Sequence, residues 1–146
     1  MSAVVSRIRS IINRLTAYSG TRSVVFEVTQ DCNQDCAFCY NVWKCTDYPR
    51  GQLDTQRTKD LLDRIIRDYK PRILTFTGGE PLLRSDLLEL IRHASKHVKC
   101  NMISNGTLVD DTVARELVES GIQTIEFTLL SADRDIHNAL VRRDSF

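Results

Sequence analysis

RILTFTGGEPLLRSDLLELIRHA, residues 72–94, carries the pattern on which the fold turns. Arg72 to Thr77 is a short apolar, β-branched run that reads as a strand. A polar break follows at Thr77-Gly78-Gly79-Glu80-Pro81. Ser85 then stands where it can cap a helix whose buried side is Leu87, Leu88, Leu90, Ile91 and Ala94.

The same alternation extends in both directions. Upstream, Ser23 to Thr29 is rich in Val and Phe and reads as a strand. Thr55 to Tyr69 places Leu61, Leu62, Ile65, Ile66 and Tyr69 on one helical face and stops before Pro71. Downstream, Val98 to Ser104 is a third strand. Asp110 or Asp111 caps a helix carrying Val113, Ala114, Leu117 and Val118, and Gly121 closes it. Gln123 to Leu130 is a fourth strand. Strands alternating with helices of this length predict an α/β fold with a parallel sheet, its functional loops at the carboxyl ends of the strands.

Composition narrows the function classes. The chain has 146 residues, 42% hydrophobic and 27% charged, with a formal charge of +1, an ordinary globular balance for one domain. That charge gives no general reason to expect a nucleic-acid partner. No apolar run approaches the roughly 18 residues of a membrane span. Five cysteines, an odd number with three of them close together, fit a reducing compartment such as the cytoplasm better than a secreted disulfide framework. Residues 1–22 carry Arg7, Arg9, Arg14 and Arg22, several serines and no acid. They read as an amphipathic helix striped by Val4, Val5, Ile8, Ile11, Ile12 and Leu15, with a transit peptide or membrane-surface segment as the alternative.

Four loops meet at the predicted rim. After the first strand comes Asp31-Cys32-Asn33-Gln34-Asp35-Cys36-Ala37-Phe38-Cys39-Tyr40. After the second comes Gly78-Gly79-Glu80-Pro81, after the third Ser104-Asn105-Gly106-Thr107, and after the fourth Ser131-Ala132-Asp133. Three thiolates can hold three irons of a four-iron cubane, leaving one iron open to something other than protein. The glycine pair lets backbone approach a ligand closely, because no Cβ intervenes.

These residues resemble the radical S-adenosylmethionine superfamily. Its signature is three cysteines separated by three and then two residues, with an aromatic residue before the last, matched here by Cys32, Cys36, Phe38 and Cys39. Gly78-Gly79-Glu80-Pro81 is similar to the family's second motif, and Leu129-Leu130-Ser131-Ala132-Asp133…His137-Asn138 to a stretch in members that modify peptides or build cofactors.

The resemblance implies a partial (β/α) barrel over residues 23–146 and two cofactors, a [4Fe-4S] cluster on Cys32, Cys36 and Cys39 and S-adenosylmethionine on the open iron. It implies reductive cleavage of the sulfonium to a 5′-deoxyadenosyl radical that abstracts hydrogen from a peptide or small-molecule precursor. Gly78, Gly79 and Glu80 would meet the nucleoside's amino group, and Ser104 and Asn105 its ribose. Thr128 or Ser131, with Arg142 or Arg143, would hold its carboxylate, and Phe38 and Tyr40 would flank the adenine. An electron donor such as flavodoxin or ferredoxin is implied as partner.

Plainer readings stand beside these. Ser104 to Thr107 also fits a simple turn, and His137 a cap or a solvated side chain. His93 and His97, four apart on a helix, form a possible metal pair, but with no acid or thiol nearby in sequence they read as solvated or packed. Cys45 as a fourth ligand would give a closed metal or electron-transfer centre, and Cys100 reads as a buried strand residue. A core of this family has six βα units, and the chain stops at Phe146 as a fourth helix should begin, leaving the fourth strand with an unpaired edge. The length therefore predicts a fragment, a protein completed by a second subunit or dimer partner, or a reduced member that binds cluster and nucleoside without turnover.

Overall fold

Three parallel pairings in sequence order build the sheet of the computed structural model, which describes residues 23–41 and 51–146. The strands β1 (Ser23–Thr29), β2 (Ile73–Gly78), β3 (Lys99–Ser104) and β4 (Ile122–Phe127) lie in the order β1-β2-β3-β4. Phe26 pairs with Phe76, Phe76 with Met102, and Met102 with Ile125. Parallel neighbours require a crossover, and each crossover holds a helix: α1 (Thr55–Tyr69), α2 (Leu87–Ala94) and α3 (Asp111–Glu119). The predicted helix at 1–22, and Trp43, Lys44 and Cys45, lie outside the described residues.

Alternation along the strands puts the apolar set on the helix side. Val28, Leu74, Phe76, Cys100 and Met102 meet Leu62 of α1, Leu87, Leu90, Ile91 and Ala94 of α2, and Leu117 of α3 in one buried cluster. Phe26 and Phe76 pack edge to face with ring centres 6.5 Å apart. Burial raises the Cys100 thiol to about 11, which leaves it an inert core residue.

Several sequence expectations shift. Tyr69, Ala114 and Val118 are exposed, because they lie at the margins of apolar stripes whose inner residues, Leu62 and Ile66 of α1 and Val113 and Leu117 of α3, meet the core. The helix expected from Ser85 begins at Leu87, and Asp86 at its N-cap makes no capping bond since its carboxylate is committed elsewhere. Asp110 does cap α3, accepting from Thr112 and Val113. The fourth strand ends at Phe127, and α4 (Arg134–Val141), capped by Asp133, is formed where only the start of a helix was expected. No residue of β4 is buried, as suits a strand at the sheet edge.

Arg84 joins sheet to helices. Its buried guanidinium donates to Val28 O at 2.7 Å, Leu53 O at 3.0 Å, Thr58 Oγ1 at 3.0 Å and both oxygens of Asp86. Thr55 Oγ1 donates to the same carboxylate at 2.6 Å. The Arg84 hydrogen bond holds Asp86 below the usual carboxylate range, against its own desolvation and with help from Thr55. A lowered folded-state pKa gives stability that is present above the unfolded value and lost as pH falls through the folded one. Asp86→Asn is therefore expected to lower stability near neutral pH and to flatten the acid limb of the unfolding midpoint, read by urea titration between about pH 6 and pH 2.

Candidate functional site

The cysteine loop leaves β1 and is fastened immediately to the loop after β2. Gly79 N donates to Thr29 O at 2.9 Å, and Glu80 N to Asp31 O at 2.7 Å. A Cβ on Gly79 would lie 2.0 Å from Asp31 O, and one on Gly78 would lie 2.2 Å from Thr29 O. Gly78 also takes φ +146°, where L side chains are strained. The sequence assigned the missing Cβ atoms to a ligand; the structure fills that space with β1-loop backbone.

The other end of the cysteine loop rests on α4. Asp35 N donates to Val141 O at 3.2 Å and Ala37 N to Leu140 O at 2.9 Å, which satisfies carbonyls that a helix end leaves without internal partners. A third fastening runs to the β3 loop: Asn33 Nδ2 donates to Thr107 Oγ1 at 2.7 Å, and Asn105 Nδ2 to Asn33 Oδ1 at 2.7 Å. Asn105 Oδ1 accepts from Thr107 N and Oγ1. The Asn105 side chain is thus engaged within the rim.

Cys32, Cys36 and Cys39 are in no disulfide, and each is half-buried. They line one cavity with Gly78, Gly79, Ser104, Asn105, Thr128, Phe38 and Tyr40. Phe38 and Tyr40 are 57% and 72% exposed, so their rings stand at its mouth. Tyr40 Oη donates to Glu27 Oε1 at 3.1 Å; desolvation first, then that hydrogen bond, raise the phenol above its usual range.

Glu80, Ser131, Arg142 and Arg143, all expected from the sequence at the ligand, do not line this cavity. Glu80 is fully buried with its carboxylate turned to β3, where Oε1 accepts from Ser104 Oγ at 2.9 Å and Leu82 N at 3.0 Å, and Oε2 from Asn105 N at 2.8 Å. Ser131 Oγ accepts from Asp133 N at the start of α4. Arg142 ends α4 in the left-handed conformation, its Nη1 3.9 Å from Asp35 Oδ2.

Two of the three histidines have side-chain partners within the fold, and His97 is exposed. Buried His137 accepts from Leu130 N through Nδ1 at 3.3 Å and packs on Phe146. His93 meets an acid that sequence proximity did not show, Asp63 of α1 at 2.7 Å.

Two buried polar cavity residues escaped the sequence reading, Gln34 and Asn41, as did the apolar Ile103. Asn41 Nδ2 donates to Gly78 O at 3.2 Å, while its buried Oδ1 has no hydrogen-bond partner among the described residues. The burial of Gln34 and Asn41 depends on where the loop lies, which no local pattern encodes.

The donor set suits an iron–sulfur cluster. Thiolates are the protein ligands such clusters take, and the three thiols reach one cavity whose wall includes Asn41, a residue with an orphaned carboxamide oxygen. No three His, Cys, Asp or Glu side chains among the described residues converge on a single ion. A cubane, in which each thiolate takes its own iron, does not ask for that convergence.

Residues 26–146 match the model of the Radical SAM superfamily. The chain is 36% identical over 118 residues to the AdoMet-dependent heme synthase of Oleidesulfovibrio alaskensis, covering 80% of this chain and 30% of that protein. It is 34% identical over 121 residues to a probable GTP 3',8-cyclase of Methanopyrus kandleri, covering 83% of this chain and 38% of that one. Streptococcus suis SuiB, solved bound to S-adenosylmethionine, superimposes with a TM-score of 0.69 at 17% identity, over 96% of this chain and 31% of SuiB. The chain thus spans about a third of the curated relatives it matches, and its sheet and helices correspond to part of the barrel in such proteins.

If Glu80 clamps the β3 loop, Glu80→Ala strands Ser104 Oγ, Leu82 N and Asn105 N and should destabilise the chain by roughly 2–4 kcal/mol in a denaturant titration. Glu80→Gln, which keeps one acceptor oxygen, should lose less. A change under about 0.5 kcal/mol for the alanine variant would remove the clamp from the account.

Proposed function

The chain belongs to the radical S-adenosylmethionine superfamily, and we propose that it binds a [4Fe-4S] cluster and S-adenosylmethionine on the rim of its sheet to generate a radical for hydrogen abstraction. The observation that carries this reading is the shared cavity: three cysteine thiols and the glycine loop of β2 face the same space. Relatives of the chain are enzymes of different chemistry, a heme synthase and a probable GTP cyclase. The common property is therefore cofactor use, which the family has throughout.

Cys32, Cys36 and Cys39 would hold the cluster. When bound, the pair of cofactors supplies the electron that splits the sulfonium and the nucleoside radical that takes hydrogen from substrate. The protein's part is position and exclusion of water. The amides of Gly79 and Glu80 are spent on the cysteine loop, so acceptors are what the glycine loop offers. Gly78 O already takes Asn41 Nδ2, yet a carbonyl accepts twice and an amino group supplies donors. The Gly78 and Gly79 carbonyls would thus orient the amino end.

Ser104 Oγ donates to Glu80 and accepts from Gly106 N, so Ser104 and Asn105 would meet the ribose chiefly through a backbone that Glu80 has fixed. Thr128, whose amide donates to Ser104 O, would contact the carboxylate. The contribution of Arg142 or Arg143 would then require movement at the end of α4. Phe38 and Tyr40 would cover the adenine at the cavity mouth. The reductant is proposed to be a flavodoxin or ferredoxin, the substrate a peptide or small-molecule precursor, and residues supplied by a further segment or second subunit would complete the barrel. The helices of the described residues include none long and apolar enough to cross a membrane, and a cytoplasmic site of action is proposed.

Anaerobic reconstitution tests the reading. Wild-type chain should take up about four irons and, on reduction, cleave S-adenosylmethionine to methionine and 5′-deoxyadenosine. Alanine at Cys32, Cys36 or Cys39 should abolish the cluster absorption, and Cys45→Ala should leave it intact. Loss of iron on the Cys45 change would favour a closed four-cysteine centre, and binding without cleavage a module lacking turnover.

A further inference from the structure

Gln34 lies between two of the cysteines and is 5% exposed, an unusual place for a residue type that mostly sits in water. A buried carboxamide needs partners at both ends, and the two ends of Gln34 point to different elements. Oε1 accepts from the Cys36 thiol at 3.6 Å, and Nε2 donates to Ser145 Oγ at 2.9 Å. Ser145 is itself held by its backbone amide, which donates to Asn138 Oδ1 at 3.0 Å. The loop around Gln34 is fixed on α4 through Asp35 N and Ala37 N.

The Cys36 sulfur can donate only while it keeps its proton. Iron binds the thiolate and the proton leaves to solvent, after which Oε1 would face another acceptor. Half a turn of the carboxamide removes the conflict, because the Ser145 hydroxyl both donates and accepts. Nε2 then donates to Cys36 Sγ, and the Ser145 hydroxyl donates to Oε1. The contacts to Cys36 and to Ser145 are then both kept, with donor and acceptor exchanged.

Resting on the reading that Cys36 is a cluster ligand, we infer that Gln34 is a positioning residue whose side-chain amide, backed by the Ser145 hydroxyl, donates an N–H···S hydrogen bond to the bound Cys36 sulfur and raises the cluster's reduction potential. Hydrogen bonds to ligating sulfur disperse the negative charge that reduction adds, and they are among the factors that set such potentials. The contact also connects the cysteine loop to Ser145, which follows shortly after Val141, the last residue of α4 whose carbonyl that loop takes.

The test is an EPR-monitored redox titration of the reconstituted full chain. Gln34→Leu keeps the volume and removes the donor. It should lower the potential by the equivalent of a tenfold shift in the one-electron equilibrium, about 59 mV. Gln34→Glu, whose ionised carboxylate only accepts, should also lower it, and Ser145→Ala should lower it less. An unchanged potential in Gln34→Leu with its iron retained overturns this inference alone. If Gln34→Leu takes up no iron, Ser145→Ala decides, and an unchanged potential there overturns it. Wild-type chain that binds no iron overturns the cluster reading and this inference with it.

Discussion

The rim depends on one close approach, that of the β1 loop to the glycines that end β2. Asp31 O and Thr29 O occupy the volume that side chains at positions 79 and 78 would need, and they accept the amides of Glu80 and Gly79 there. The contact sets where the cysteine loop leaves the sheet, and therefore where its thiols can point. It also fixes the start of the 3₁₀ turn Pro81–Leu83, whose preceding residue, Glu80, reaches across to β3. One pair of residues without side chains thus organises three strands.

From that contact the loops are coupled in sequence. Glu80 holds Ser104 and the Asn105 amide, Asn105 holds Asn33, and Asn33 sits in the cysteine loop. The α4 carbonyls of Leu140 and Val141 close the arrangement from the far side. Such preorganisation suits the proposed placing of an electron source beside a reactive nucleoside, since each group is held by partners other than the ligand. Away from the cysteines, Arg84 does the equivalent for the helix layer through Val28, Leu53, Thr58 and Asp86.

Much of this was legible in the sequence, for a physical reason. Strand and helix periods differ, so Ser23–Thr29 and Thr55–Tyr69 could be read from apolar spacing alone, and the positions of the loops followed from their order. Harder to read were the partners. Glu80 looked like a ligand group because it follows two glycines, yet burial turns its carboxylate to Ser104. His93 lacked an acid in sequence and found Asp63 on a neighbouring helix. Gln34 and Asn41 show no pattern, because they are buried only by the path of a loop. Tyr69 and Val118 belong to apolar stripes wider than the surface available to cover them.

The central claim is that three loop cysteines leave one iron of a cluster open on this rim. It is tested most directly by the EPR spectrum of reduced, reconstituted chain before and after S-adenosylmethionine is added. A spectrum that changes in g values and line shape on addition is the result expected of a ligand arriving at the cluster. A cluster signal that stays identical at saturating S-adenosylmethionine would contradict the claim and mark a fully protein-ligated centre.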